Sequence, residues 1–127
     1  MKVEYDLLVI DKSNLTLDEA VLFKEGFKVA SYSDHREVLS RLSQLRPDLI
    51  ILGEGLPVDS FEICCQLRQA VDVPIVMLGK VPRETGWVKA VESGADCYLA
   101  QPFYHSELVA RVKAILRRCE WNLVEDN

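Results

Sequence analysis

Apolar residues gather in five short runs at fairly even spacing: Leu7-Leu8-Val9-Ile10, Phe27-Lys28-Val29-Ala30, Leu49-Ile50-Ile51-Leu52, Ile75-Val76-Met77-Leu78 and Cys97-Tyr98-Leu99-Ala100. Three of them are continuously apolar and rich in β-branched residues, the pattern of strands whose two faces are both covered. Amphipathic stretches lie between the runs and after the last. Val38, Leu39, Leu42 and Leu45 share one helical face, and so do Leu108, Val109, Val112, Ile115 and Leu116. Helix boundaries are marked as well. Asp34 with Glu37 reads as a capping pair, Gly26 and Gly94 stand where helices should stop, and Pro47 follows a helix end. Strand and helix alternating five times predict an α/β fold, a doubly wound parallel sheet with right-handed crossovers. Residues 1–119 form the domain. The tail Glu120–Asn127 breaks the helical pattern and reads as an end segment or the start of a linker.

A chain of 127 residues suits one domain with one core. The net charge of −5 offers no electrostatic footprint for nucleic acid, so DNA contact by this chain itself is not expected. No apolar run approaches the ~18 residues that span a bilayer, and Met1–Asp6 lacks the features of a signal peptide. The expected location is the cytoplasm. Cys64, Cys65, Cys97 and Cys119 fit no zinc spacing and read as reduced thiols; a redox role for Cys64-Cys65 requires an exposed thiol of low pKa.

In open α/β sheets, ligands bind at the carboxyl ends of the strands. That rule selects Asp11 and Lys12 after the first run, Gly53, Glu54 and Gly55 after the third, Gly79 and Lys80 after the fourth, and Gln101 and Pro102 after the fifth. A hard divalent cation wants several oxygen ligands, and Lys12 beside Asp11 repels one, so no metal site is expected. Gly53-Glu54-Gly55 matches no phosphate-cradling motif, and its acid opposes a phosphate. His35 and His105 begin predicted helices and read as exposed first-turn residues. No catalytic constellation emerges, and the chain is not expected to be an enzyme.

Three stretches nonetheless resemble one family. Arg46-Pro47-Asp48-Leu49-Ile50-Ile51-Leu52-Gly53-Glu54-Gly55-Leu56-Pro57 is similar to the third strand and following loop of two-component receiver domains, and Val73-Pro74-Ile75-Val76-Met77-Leu78-Gly79 to their fourth strand. Glu92-Ser93-Gly94-Ala95-Asp96-Cys97-Tyr98-Leu99-Ala100-Gln101-Pro102-Phe103, followed by Glu107-Leu108 and Ala110-Arg111-Val112, resembles the fifth strand and last helix of the winged-helix, OmpR/PhoB-like subfamily. The resemblance covers about Leu7 to Arg118. It implies a CheY-like (βα)5 fold, strand order 2-1-3-4-5. It also implies a phosphorylation pocket, and here that pocket departs from the family at four of five positions. The second acid after the first strand is Lys12, next to the retained Asp11. The phosphoryl-accepting Asp is Gly53, the Thr or Ser after the fourth strand is Gly79, and the Lys before Pro102 is Gln101. The switch aromatic is kept as Tyr98.

Glycine carries no nucleophile, so no acyl phosphate can form at residue 53. Glu54 lies one residue further on, where the side chain takes another direction. The resemblance therefore implies a receiver that has lost Mg²⁺ binding and works without phosphorylation, with Lys12 pairing Asp11 or Glu54. In the subsidiary role of a dimer surface, it assigns Asp96, Glu107, Arg111, Lys113 and Arg118 to a face made by the fourth helix, fifth strand and fifth helix. Trp87 replaces a basic residue there and Cys97 an acid. Trp87 reads either as an exposed interface anchor or as core packing. The expected role is control of transcription through homodimerisation, with DNA reached only by a C-terminal domain outside this sequence. The alternatives are a stand-alone adaptor and a small-molecule sensor using room left by Gly53 and Gly79.

Overall fold

The computed structural model describes residues 4–12, 17–54 and 56–120, together with the backbone of 121–125. Five strands alternate with five helices: β1 (Asp6–Ile10), α1 (Ala20–Lys24), β2 (Lys28–Tyr32), α2 (His35–Leu45), β3 (Leu49–Leu52), α3 (Ser60–Ala70), β4 (Ile75–Gly79), α4 (Arg83–Glu92), β5 (Cys97–Ala100) and α5 (His105–Glu125). The strands form one sheet of order β2-β1-β3-β4-β5, parallel throughout. The expected fold and strand order are the observed ones.

Strand parity divides the core in two. On one face Leu7, Val9, Leu49, Ile51, Val76, Leu78, Cys97 and Leu99 pack with Leu22 of α1 and Leu108, Val112 and Leu116 of α5. On the other, Leu8, Ile10, Ile50, Leu52, Ile75, Met77 and Tyr98 pack with Val38 and Leu42 of α2, Ile63, Cys64 and Leu67 of α3, and Ala90 of α4. Each of these aliphatic side chains stabilises the fold by about 1.5–3 kcal/mol when fully buried. Both faces draw on the same strands, which is why the inner runs are apolar without interruption. β2 lies at the sheet edge, is the least buried strand, and begins one residue later than its apolar run.

The helix ends follow local chemistry. Asp34 caps α2, its Oδ1 accepting from the Arg36 N–H at 2.9 Å. Glu37 does not complete the expected reciprocal pair; its carboxylate lies 3.6 Å from Arg41 one turn later. Arg46 closes α2 in the left-handed region at φ 43°, immediately before Pro47. Gly94 takes φ 97° after α4, a conformation open to glycine, and Arg68 packs where a side chain there would sit.

Two expectations require correction. His35 is buried, 4% exposed, because the start of α2 is drawn in with Val38 and Leu42; its Nδ1 has no hydrogen-bond partner among the described residues. Helix α5 does not stop near Cys119 but continues to Glu125. A hydrogen bond from the Tyr5 hydroxyl to Glu120 ties this end of α5 to the segment entering β1. The cysteines are all free: Cys64 and Cys97 are buried, Cys119 is half-buried and Cys65 is exposed. Burial pushes the Cys64 thiol up to about 11, so it is no low-pKa nucleophile.

Burial, and then the hydrogen bond to Glu120, push the Tyr5 phenol up to about 12. A phenol whose proton is held more tightly in the folded chain contributes stability fully below its unfolded value near ~10. That contribution is lost as pH rises from there through the folded value. Chemical denaturation across this alkaline range is expected to show a steeper fall in stability for the native chain than for Tyr5→Phe.

Candidate functional site

The order β1-β3-β4-β5 brings four strand ends side by side, and backbone hydrogen bonds hold them in line. Gly53 N–H donates to the Ile10 carbonyl at 2.8 Å, and Gln101 N–H donates to the Gly79 carbonyl at 2.7 Å. Asp11, Gly53, Gly79 and Gln101 are thus the successive residues of one edge, the one selected from the sequence. The Gln101–Pro102 peptide is cis.

The residues at this edge are mostly committed to the chain itself. Asp11 is buried, and its Oδ1 accepts from the Lys12 N–H at 2.9 Å. The Lys12 side chain is exposed. Gly53 is buried, and its carbonyl accepts from the Ser60 hydroxyl at 3.1 Å, which ties the loop to the first turn of α3. Glu54 reaches across to the next strand end, where its Oε1 accepts from the Lys80 N–H at 3.2 Å. Glu19, not singled out in the sequence, adds negative charge nearby. Its carboxylate accepts from the Ser31 hydroxyl, and burial, then Asp11 and Asp18, raise its pKa. Among the described residues no three His, Cys, Asp or Glu side chains are grouped to hold a metal ion.

Tyr98 is the aromatic residue of the site. It points inward, 4% exposed, and its hydroxyl donates to the Val81 carbonyl at 2.7 Å. Its ring stacks on Phe61 with centroids 6.4 Å apart. Burial, then the Glu54 charge, raise the phenol pKa. The ring lies against Gly79 and Gly86: a Cβ on Gly79 would come within 2.6 Å of the Tyr98 hydroxyl oxygen, and one on Gly86 within 2.4 Å of the ring. The room left by the missing side chain at residue 79 is therefore filled by the phenol rather than open to a ligand. Gly86 was not read from the sequence. Its signal was available, since a glycine inside a helix costs about 1 kcal/mol relative to alanine and calls for a packing reason.

The second set of residues lies around α4, β5 and α5. A cleft of about 690 Å³ is lined by Arg83, Glu84, Trp87, Cys97–Ala100, Glu107 and Arg111. Trp87 is 46% exposed, which resolves its two readings in favour of the surface, and Val88 and Val91 of the same helix are also exposed. Arg118 is exposed on α5. Cys97 is buried: strand parity turns it to the α5 side, beside Leu108 and Val112, where it forms part of the cleft wall without supplying a charge. Asp96 and Lys113 have partners within the chain. Asp96 Oδ2 accepts from Arg68 at 3.0 Å and from the Ile75 N–H at 2.8 Å, while Arg68 Nε donates to the Gly94 carbonyl at 2.9 Å. Lys113 Nζ lies 2.5 Å from Glu25.

The Asp96 carboxylate joins the start of β4, the start of β5 and α3. Asp96→Ala leaves the Ile75 N–H without this acceptor, and an unsatisfied buried donor costs about 1–3 kcal/mol. Equilibrium denaturation should show a loss of that size for Asp96→Ala and a smaller one for Asp96→Asn, which keeps an acceptor.

With this geometry in place, the likeness to known proteins is specific. The family model described as "Response regulator receiver domain" matches residues 7–113. The alkaline phosphatase synthesis transcriptional regulatory protein PhoP of Bacillus subtilis is 43% identical over 118 residues, which cover 90% of this chain and 49% of that protein. The DNA-binding response regulator MtrA of Mycobacterium leprae is 42% identical over 114 residues, 88% of this chain and 51% of that protein. The chain thus spans about half the length of the curated relatives it matches. Among solved structures, a two-component response regulator from Clostridium difficile aligns with a TM-score of 0.81 at 29% identity, covering 91% of this chain and 98% of the other. A response regulator from Chloroflexus aurantiacus aligns at 0.79 and 32% identity, covering 90% and 98%.

Proposed function

The chain belongs to the response regulator receiver family, and we propose that it is a receiver that works without accepting a phosphoryl group, controlling transcription through protein–protein contact. The observation that carries this reading is Gly53. The resemblance puts the family's phosphoryl acceptor at this position, and a buried glycine supplies no side-chain oxygen to attack a phosphodonor. The surroundings support the same reading. Gly79 offers no hydroxyl to a phosphoryl oxygen, and Gln101 no ammonium.

The family's Mg²⁺ does not fit these residues. Magnesium demands octahedral oxygen coordination, usually with one or two carboxylates. Here Asp11 is followed by a cation, residue 53 contributes no side-chain donor, and Glu54 is drawn toward the Lys80 amide. No step of the proposed function passes through a metal.

What remains is a contact surface. Exposed Trp87 beside the α4-β5-α5 cleft is the natural anchor for a homodimer, since tryptophan buried at an interface centre is enriched among residues that carry binding energy. Glu107 and Arg111 line the same cleft and supply charges of both signs. With Asp96 and Lys113 engaged inside the chain, crossing ion pairs fall to Glu107, Arg111 and Arg118. Exposed pairs contribute only ~0–1 kcal/mol each, so the apolar contact dominates. Output to DNA belongs to a domain beyond these residues, and the setting is cytoplasmic. No described helix is long and apolar enough to cross a membrane.

Incubation with acetyl phosphate and Mg²⁺ is expected to leave the intact mass unchanged; a phosphoryl increment overturns the reading. Gly53→Asp alone restores an acceptor without the metal site, hydroxyl or lysine, so only a minor fraction of that variant should be labelled in the same incubation. Sedimentation at high micromolar concentration should show dimer without any phosphodonor, and Trp87→Ala should weaken it by tenfold or more. A native chain that stays monomeric argues against the homodimer.

A further inference from the structure

The ring of Tyr98 occupies a socket that two glycines make. Gly79 ends β4, and Gly86 lies one turn inside α4, where its N–H donates to the Pro82 carbonyl at 2.8 Å. A Cβ on Gly86 would stand 2.4 Å from both Cε2 and Cζ of the ring; one on Gly79 would stand 2.8 Å from Cε1 and 3.0 Å from Glu54 Oε1. Contacts this close are not sustained by carbon atoms, so any other residue at either position excludes the ring from its present place. The phenol also spans the connection between those glycines through its hydrogen bond to Val81. Phe61 at the start of α3 closes the socket on a third side, and the Lys89 ammonium of α4 lies 5.7 Å from the Phe61 ring centroid.

We propose that Gly79, Gly86 and Tyr98 form a fixed clamp that holds the β4–α4 connection and α4 against β5 in one arrangement, so that the α4-β5 surface is presented in a single conformation without any ligand. As regulation of that surface, the clamp rests on the phosphorylation-independent reading above; as geometry, it stands without it. Specificity comes from the missing side chains. Gly86 gives up the helix-forming advantage of alanine and, in exchange, admits an aromatic ring between helix and sheet. The clash is with a rotatable side chain, so a methyl group at residue 86 expels the ring rather than destroying the fold.

Fluorine NMR on the 127-residue chain containing 3-fluorotyrosine tests this. The chain has four tyrosines, and Tyr98→Phe assigns the resonance of interest. The native chain should give a Tyr98 signal, one line or the two of its ring-flip states, with no H₂O/D₂O solvent shift before and after acetyl phosphate and Mg²⁺. Gly86→Ala should move that line to a solvent-sensitive position while the other three stay in place, and Gly79→Ala should act in the same direction. A solvent-exposed Tyr98 fluorine in the native chain overturns the clamp, as does one that remains buried in both variants. If Gly86→Ala does not fold, Gly86→Ala with Tyr98→Ala decides: recovery of the folded spectrum supports the socket, and failure to recover shows that the ring is not what the methyl group meets. Intact mass on the same samples separates the two readings. An added phosphoryl group with Tyr98 still buried refutes phosphorylation independence and leaves the clamp. An unchanged mass with Tyr98 exposed does the reverse.

Discussion

Burial of both faces of one parallel sheet is the constraint from which the rest of the structure follows. Each inner strand must supply apolar side chains in both directions, and each crossover must return a helix to one face or the other. Leu7 and Val9 meet α1 and α5, while Leu8 and Ile10 meet α2, α3 and α4. The same parity assigns Tyr98 to the α2-α3-α4 side and Cys97 to the α5 side. Once the strands are in register, their carboxyl ends line up, and Asp11, Gly53, Gly79 and Gln101 become neighbours although up to 90 residues separate them in sequence.

At that edge, polar groups are turned to partners within the chain. Glu54 serves the Lys80 amide, Ser60 the Gly53 carbonyl, and the Tyr98 hydroxyl the Val81 carbonyl. Hydrogen bonds of this kind contribute about 0.5–1.5 kcal/mol each, and their geometric effect is larger than their energy. They connect consecutive strand ends to the loops that follow and reduce the freedom of those loops. The same economy governs Asp96, whose carboxylate links Arg68 to the first amide of β4. The α4-β5-α5 surface is consequently less charged than its sequence implies, and Trp87, Val88 and Val91 of α4 are exposed on the same helix.

The sequence by itself determined the architecture. Periodicity of apolar residues depends on local chain geometry, and five strand runs with amphipathic stretches between them were sufficient to fix the strand–helix alternation. The chemical character of the edge was legible for the same reason: a glycine at residue 53 or 79 lacks oxygen wherever the chain folds. What the tertiary structure alone decided was direction and partnership. That His35 is buried, that Trp87 is exposed, that Asp96 and Lys113 are already paired, and that α5 runs on past Cys119 beside Tyr5 all depend on residues distant in sequence. The socket shows the difference most clearly. Tyr98 was recognisable as an aromatic on the fifth strand, but its inward place depends on two glycines 12 and 19 residues away. No local pattern encodes their meeting, because the space a missing side chain leaves is defined only by what packs around it.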